Sequence, residues 1–355
     1  FRDTFPDAYA QISNVTVCAG TTSIGEWAFL DCASLVSVNL PDGLTTVGNS
    51  AFSGCVGLNS LALPTSVTVL GESAFSGCSG LTSMAIPSGV TNLDWYVFKD
   101  CRGLKSMHIP QGVVSIGYGA FMGCRGLESV EIPDGVTSFD YGAFKNCSSL
   151  KAIAFPKGVK SFSSSVLDGC TNLTSLTISD GVLKYKDRLS ETFSGVYQQI
   201  ADVTILDDVT SIGSSFAYWS GLVSVSLPNS LTSIGDSAFY ECTSLQSVTI
   251  PPSVNSIAGY AFSGCSSLES VVLPSSVTSI GYTAFRSCSA LKTVFVEKND
   301  GERIKGLLDA SGFDTSDVRF VEIGTEGEYT EKFGGYTWHY CVSGGVAVVC
   351  AYANG

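Results

Sequence analysis

The chain has 355 residues, of which 14% are charged and 45% hydrophobic, and its formal net charge is −13. That apolar content excludes a disordered chain, and so acidic a balance gives no electrostatic reason to bind nucleic acid or a bare anionic membrane. No apolar run approaches the roughly 18 residues of a membrane span, and 38 glycines with regularly placed prolines argue against long helices.

Residues 1–11 read as an N-terminal lead or cap. The chain opens at Phe1 rather than Met, as expected of a processed or trimmed parent, so the lack of a signal peptide carries no weight on compartment.

From residue 12 to 296 one unit repeats. Cys32, Cys55, Cys78, Cys101, Cys124, Cys147 and Cys170 stand 23 residues apart, and the step resumes at Cys242, Cys265 and Cys288. Phe29, Phe52, Phe75, Phe98, Phe121 and Phe144 lie three residues before their cysteines, as do Phe239, Phe262 and Phe285. Leucines from Leu35 to Leu173, and again at Leu245, Leu268 and Leu291, lie three residues after. The unit reads LxSVxIPxxVTSIGxxAFxxCxx. In Leu245–Ile250 apolar and small polar residues alternate, which is the signature of a half-buried strand. Pro251 then ends the ladder, since it has no N–H and a fixed φ. A second short strand follows, and Ala-Phe-x-x-Cys has helical spacing but room for only about one turn.

A single coil buries too little to offset the ordering of its own backbone, so only a stack is stable. Equivalent residues of stacked coils sit about 4.8 Å apart with parallel side chains, whereas disulfides need converging Cβ atoms at roughly 3.8 Å. The expectation is a column of buried free thiols that act as small hydrophobes with weak hydrogen bonds. Cys18, Cys341 and Cys350 fall outside it, and their pairing is open.

Residues 179–221 break the pattern. The stretch Ser179–Gln199 carries a three-residue insertion, Leu167 stands where Phe is expected, and Val196 and Trp219 replace cysteine. Lys184, Lys186 and Arg188 form a small basic cluster there. It reads either as a bulged loop or as a grafted site. Residues 297–323 read as a helix and closing strand that cap the core. Residues 324–335, rich in glycine and glutamate, read as a linker, and 336–355 as a strand pair around Gly344-Gly345 that extends the cap or begins a further module.

This motif, with its AFxxC element and period of 23, resembles the BspA-like (treponemal-type) leucine-rich repeat over about four fifths of the chain. The resemblance implies an α/β, β-rich leucine-rich-repeat solenoid. It would be a right-handed superhelix of about 12 coils with a parallel sheet on one face, and second short strands and single-turn helices at the corners. It also implies a non-catalytic cell-surface or secreted module that adheres to host, matrix or other cell-surface proteins. The family has no catalytic residues to carry over, and its motif encodes no ligand site.

The residues themselves point away from catalysis. His108 faces Glu131 one coil on, which reads as an exposed ion-pair rung rather than an acid–base pair, and His339 reads as a strand residue. No metal-ligand spacing, GxGxxG or phosphate loop occurs, and no cofactor is expected. The outward serines, Ser37 to Ser270, read as a structural ladder. The corner before each Ala-Phe is richer, with Trp27, Trp95, Tyr96, Tyr118, Tyr141, Tyr260 and Tyr282, and with Tyr218 and Tyr240 just beyond their Phe. Such an edge suits a protein interface or sugar stacking, or simply shields the corners. Three functions follow as expectations: a monomeric adhesion module for an extracellular protein or glycoprotein, a carbohydrate-binding accessory module, or a structural spacer.

Overall fold

The computed structural model describes residues 9, 11–185 and 188–323, together with the backbone of three strands between 327 and 353. Two compact units, Phe1–Ile200 and Ala201–Gly355, divide it.

In the first unit the coils are joined by two parallel ladders. In the first ladder Asn14–Thr16 pairs with Ser37–Asn39, Ser60 bridges Ser83, Ser106–His108 pairs with Ser129–Glu131, and Ala152–Ala154 pairs with Ser175–Ile178. The second ladder is made of two-residue strands. It runs Ser23–Ile24, Thr46–Val47, Val69–Leu70, and then Asn92–Leu93, Ser115–Ile116, Ser138–Phe139, Ser161–Phe162. The paired residues are 23 apart, so the sequence period is the register. The prolines explain why the strands are short. Pro41, Pro64, Pro87, Pro110 and Pro133 each accept, at 3.0–3.1 Å, the N–H of the Leu or Val three residues on, which closes a turn between the ladders.

The second unit repeats the scheme. Asp202–Ile205 pairs with Ser224–Ser226, and Ser247–Thr249 pairs with Ser270–Leu273, which pairs in turn with Thr293–Glu297. Ser211–Ile212, Ser233–Ile234, Ser256–Ile257 and Ser279–Ile280 form its second ladder. Each unit is a parallel β-solenoid, and the chain counts about 13 turns in all.

The corner segment differs in detail from the one-turn helix its spacing predicted. Across the repeats it is a run of hydrogen-bonded turns with left-handed residues four apart, such as Ser50 (φ 51°) and Gly54 (φ 74°). Alternate N–H groups therefore point in different directions. Ser50, Phe52 and Gly54 donate to Glu72, Ala74 and Ser76 of the next coil at 2.7–2.8 Å, while Ser53 and Cys55 donate back to Ser50 and Phe52. A helix would turn all of these donors onto its own carbonyls. The turns instead add a third line of bonds between coils.

The left-handed column also sets a packing rule. Asp100 occupies it at φ 55°, and its neighbour one coil on is Gly123 at φ 75°. A Cβ on Gly123 would stand 2.6 Å from the Asp100 carboxylate. The same side chain over glycine recurs at Asn146 and Gly169 and at Glu241 and Gly264. Gly123→Ala is predicted to cost about 1–3 kcal/mol in urea unfolding, from its backbone conformation and from the clash. Adding Asp100→Gly should recover part of that loss, and strictly additive losses would refute the contact.

Inside, the columns are buried. Phe29, Phe52, Phe75, Phe98, Phe121 and Phe144 stack at centroid distances of 5.2–5.6 Å. Phe216, Phe239, Phe262 and Phe285 do the same at 5.2–5.4 Å. The ten repeat cysteines are free and buried, and Cys18 is free and exposed. Nine of the ten thiols donate to the Phe carbonyl 26 residues earlier at 3.0–3.2 Å, from Cys55 on Phe29 to Cys288 on Phe262. That carbonyl already accepts an N–H from its own turn, so the thiol fills its second lone pair.

The inserted coil of the first unit is built from two short helices, α1 (Asp180–Leu183) and α2 (Leu189–Thr192), and a 3₁₀ turn over Tyr197–Gln199. The phenylalanine column ends at Phe144, and Phe155, Phe162 and Phe193 fill the space as a cluster with centroids 4.9–6.2 Å apart. Val196 is buried in the first unit, and Trp219 is buried in the second at the cysteine position.

At the end of the second unit, α3 (Gly301–Ala310) buries Ile304 and Leu308, and Arg319–Ile323 adds a parallel strand to Thr293–Glu297. Arg303 ties α3 to the preceding coil by donating to the carbonyls of Val277 and Ser275 at 2.6 and 3.0 Å. The stretch expected as a linker needs correction. Gly327–Phe333 is a strand, paired antiparallel with Tyr336–Ser343, which pairs in turn with Val346–Ala353. The two strands expected over 336–355 are the middle and last strands of a three-stranded meander. The side chains of His339, Cys341 and Cys350 lie outside the described residues.

Candidate interaction surface

The exposed face of the first ladder is small and polar, and its side chains bond from coil to coil. Ser37 donates to Asn14 at 2.6 Å, Ser115 to Asn92 at 2.7 Å in the second ladder, and Ser224 to Asp202 at 2.6 Å. Ionic rungs follow the same rule. Lys151 reaches Glu128 at 2.8 Å and holds that carboxyl below its usual range, by hydrogen bond and by charge. His108 Nδ1 lies 2.7 Å from Glu131 Oε2, with both side chains mostly exposed. Such exposed pairs add little to stability. Among the described residues no group of three or more His, Cys, Asp or Glu is placed to hold a metal ion, and no helix is long and apolar enough to cross a membrane.

The aromatic corner is different in kind. In the first unit Trp95, Tyr96, Tyr118 and Tyr141 form one contiguous strip. Tyr118 stacks on Tyr141 at 5.4 Å, meets Tyr96 edge-on at 5.1 Å and leans on Trp95 at 6.2 Å. Lys99 lies 4.9 Å above the Tyr96 ring and Lys145 5.6 Å above Tyr141. Trp95 is exposed, and the three tyrosines are half-buried against one another. That burial, with the Tyr118 hydroxyl beside it, pushes the Tyr96 phenol up. In the second unit Tyr218, Tyr240 and Tyr260 run diagonally across three coils at 5.3 and 6.4 Å. Tyr282, 72% exposed, lies against Gly312, just beyond α3. Trp27, 59% exposed, stands apart, because the two coils between it and Trp95 carry Asn49-Ser50 and Glu72-Ser73 there.

Several of these aromatics stand where the backbone disfavours them. Trp27, Tyr96 and Tyr260 have φ of 56°, 59° and 56°, and Tyr218 has φ of 68°. Sister coils put glycine at the first of these places, as at Gly119 and Gly142, and glycine adopts that conformation freely. A bulky side chain there costs on the order of 1 kcal/mol. The spacing of the aromatics shows in the sequence, but this strain does not.

The basic cluster of the insertion is only partly described. Lys184 is exposed and paired with Asp180 at 2.5 Å, Arg188 is exposed at the start of α2, and Lys186 lies outside the described residues. What sequence reading missed is that Lys157 and Lys160 of the preceding coil line one hollow with Lys184 and Tyr185. They sit at ordinary repeat positions, and only the stacking of the insertion brings them there.

In-register parallel strands, a leucine column and a polar exposed ladder define a leucine-rich repeat protein. Comparison with family models gives the particular kind. The BspA type leucine-rich repeat region (6 copies) matches residues 3–124, 93–219 and 189–307, and the chain belongs to that family. Comparison with curated proteins found no match. Among solved structures, the chain is similar to a leucine-rich repeat protein from Bacteroides ovatus, at 28% identity over 88% of this chain and 84% of that one, with a TM-score of 0.49. It is also similar to a leucine-rich cell surface protein from Faecalibacterium prausnitzii, at 27% identity over 83% and 90%, with a TM-score of 0.46. A T. pallidum leucine-rich repeat protein is 25% identical over 75% and 87%, with a TM-score of 0.26.

Proposed function

We propose that the chain is a non-catalytic adhesion module, at the cell surface or secreted, that binds an extracellular protein or glycoprotein through its aromatic corner. Leucine-rich repeat solenoids are in general non-catalytic interaction proteins, and membership of the BspA type supports the setting. The observation that carries the reading is the left-handed strain at Trp27, Tyr96, Tyr218 and Tyr260. Glycine alone would relieve that strain, so these aromatic side chains stand where the backbone would favour having none. Aromatic anchors flanked by cations are what protein interfaces use for their energetic centres. The −13 charge favours a partner surface that is neutral or basic.

The test is binding to a panel of extracellular-matrix proteins alongside a glycan array. Saturable protein binding is expected, weakened about tenfold or more by Trp95→Ala with Tyr118→Ala. Glycan binding lost with the same pair would move the corner to the carbohydrate-binding reading. Silence on both panels would leave the spacer. Trp27→Gly adds a second arm, expected to leave urea stability unchanged or raise it by up to about 1 kcal/mol. A clear loss of stability would show that Trp27 serves the fold instead.

A further inference from the structure

In the first unit a hollow of about 550 Å³ opens where the inserted coil lies on the coil before it, between residues 157–162 and α1. Gly181 makes that close approach possible, because a Cβ there would collide with the Val159 carbonyl. Lys157, Lys160 and Lys184 line the hollow with one carboxylate, Asp180, which Lys184 meets at 2.5 Å, so the lining keeps a net positive charge. All three lysines are exposed, in a chain where acidic residues outnumber basic ones 32 to 19. At physiological salt the field of the distant carboxylates is screened beyond about 8 Å, so an anion in the hollow meets mainly its own lining.

The hollow also has an aromatic wall. Tyr185 is 37% exposed and sits edge-on to Phe162 at 5.9 Å. Phe162 is itself buried and packed on Phe155 at 4.9 Å and Phe193 at 5.9 Å. The tyrosine is therefore braced from behind by a fixed cluster.

We propose that this hollow binds an acidic sugar, its pyranose ring on Tyr185 and its carboxylate or sulfate between Lys157, Lys160 and Lys184. The volume lies within the roughly 300–1,000 Å³ of small-ligand sites, room for one or two sugar rings. The two features serve different parts of such a ligand. Ammonium groups pair with its anion, and an aromatic face takes the C–H face of the ring. An extended acidic peptide would use the lysines and leave Tyr185 without a role. The site is separate from the aromatic corner and stands or falls independently of it.

Calorimetric titration of the whole chain with four probes tests this. The probes are a hyaluronan tetrasaccharide (carboxylate), a heparin tetrasaccharide (sulfate and carboxylate), neutral chitotetraose and a hexaglutamate peptide. At least one acidic tetrasaccharide is expected to bind saturably, about tenfold or more tighter than chitotetraose and hexaglutamate. The tighter of the two identifies the anion. Lys160→Glu should weaken binding about tenfold, and Tyr185→Ala several-fold. The urea midpoint should not move with Lys160→Glu, which alters an exposed side chain. Equal binding of the neutral sugar, equal or tighter binding of the peptide, no binding of either acidic sugar, or indifference to Lys160→Glu overturns the proposal.

Discussion

Between about pH 9 and about pH 11 the solenoid is expected to lose resistance to urea steadily. The cause is the cysteine column. Burial pushes the Cys78, Cys124 and Cys288 thiols from an ordinary value of 9.0 up to about 12, and the backbone of the cysteine one coil earlier (Cys55, Cys101 and Cys265) offsets this only in part. Burial likewise raises Cys32, Cys55, Cys101, Cys147, Cys242 and Cys265. The sign follows from which state holds the proton. Below about pH 9 the thiol is protonated folded or unfolded, and its contribution is fully present. Above that value the unfolded chain releases protons that the folded chain keeps, so stability falls until the folded value is reached. Each thiol then removes about 1.4 kcal/mol per pH unit, and three of them together about 4. Urea unfolding under reductant at a series of pH values measures this, and Cys124→Ala should reduce the slope by about one thiol's share. A free energy flat across the range would mean that the cysteines are not dry in solution.

Phe121→Ala is expected to cost about 3–5 kcal/mol, the range for deleting a fully buried phenylalanine. Its ring is held from both sides, by Phe98 at 5.4 Å and by Phe144 at 5.2 Å with planes 1° apart. Phe144 is the control, since Leu167 stands where its next stacking partner would be and it stacks within the column on Phe121 alone. Phe144→Ala should be milder by about 0.5–1.5 kcal/mol, the worth of one aromatic pair. Equal losses, or losses under about 1.5 kcal/mol at both sites, would show that the column does not act as a stack.

The fold was legible because one residue in each column suffices to set the phase. Once Phe29 and Phe52 or Cys32 and Cys55 are seen to be 23 apart, the parallel register follows with nothing further to decide. The corner turn was not legible, because Ala-Phe-x-x-Cys fits a helical turn equally well. What decides against the helix is the left-handed backbone at residues as unlike as Ser50, Tyr96 and Asp100, and those side chains do not announce it. The inserted coil hid its helices in segments of four residues, too short for periodicity to register. The aromatic corner showed as a spacing, but which rings meet depends on lean along the column, as Tyr118 leans on Tyr96, Trp95 and Tyr141. The lysine hollow was invisible, because its two halves belong to different coils and each alone looks like ordinary exposed surface.

The step of 23 residues has a consequence for how such genes change. Unequal crossing-over that adds or removes whole repeats leaves every ring opposite a ring and every thiol under a carbonyl. Such a protein can lengthen or shorten by copy number without a new solution to its interior. An insertion of three residues has no such licence. It must be absorbed where it falls, as the short helices beside Gly181 absorb it here, and that is where a uniform scaffold acquires a place unlike all its others.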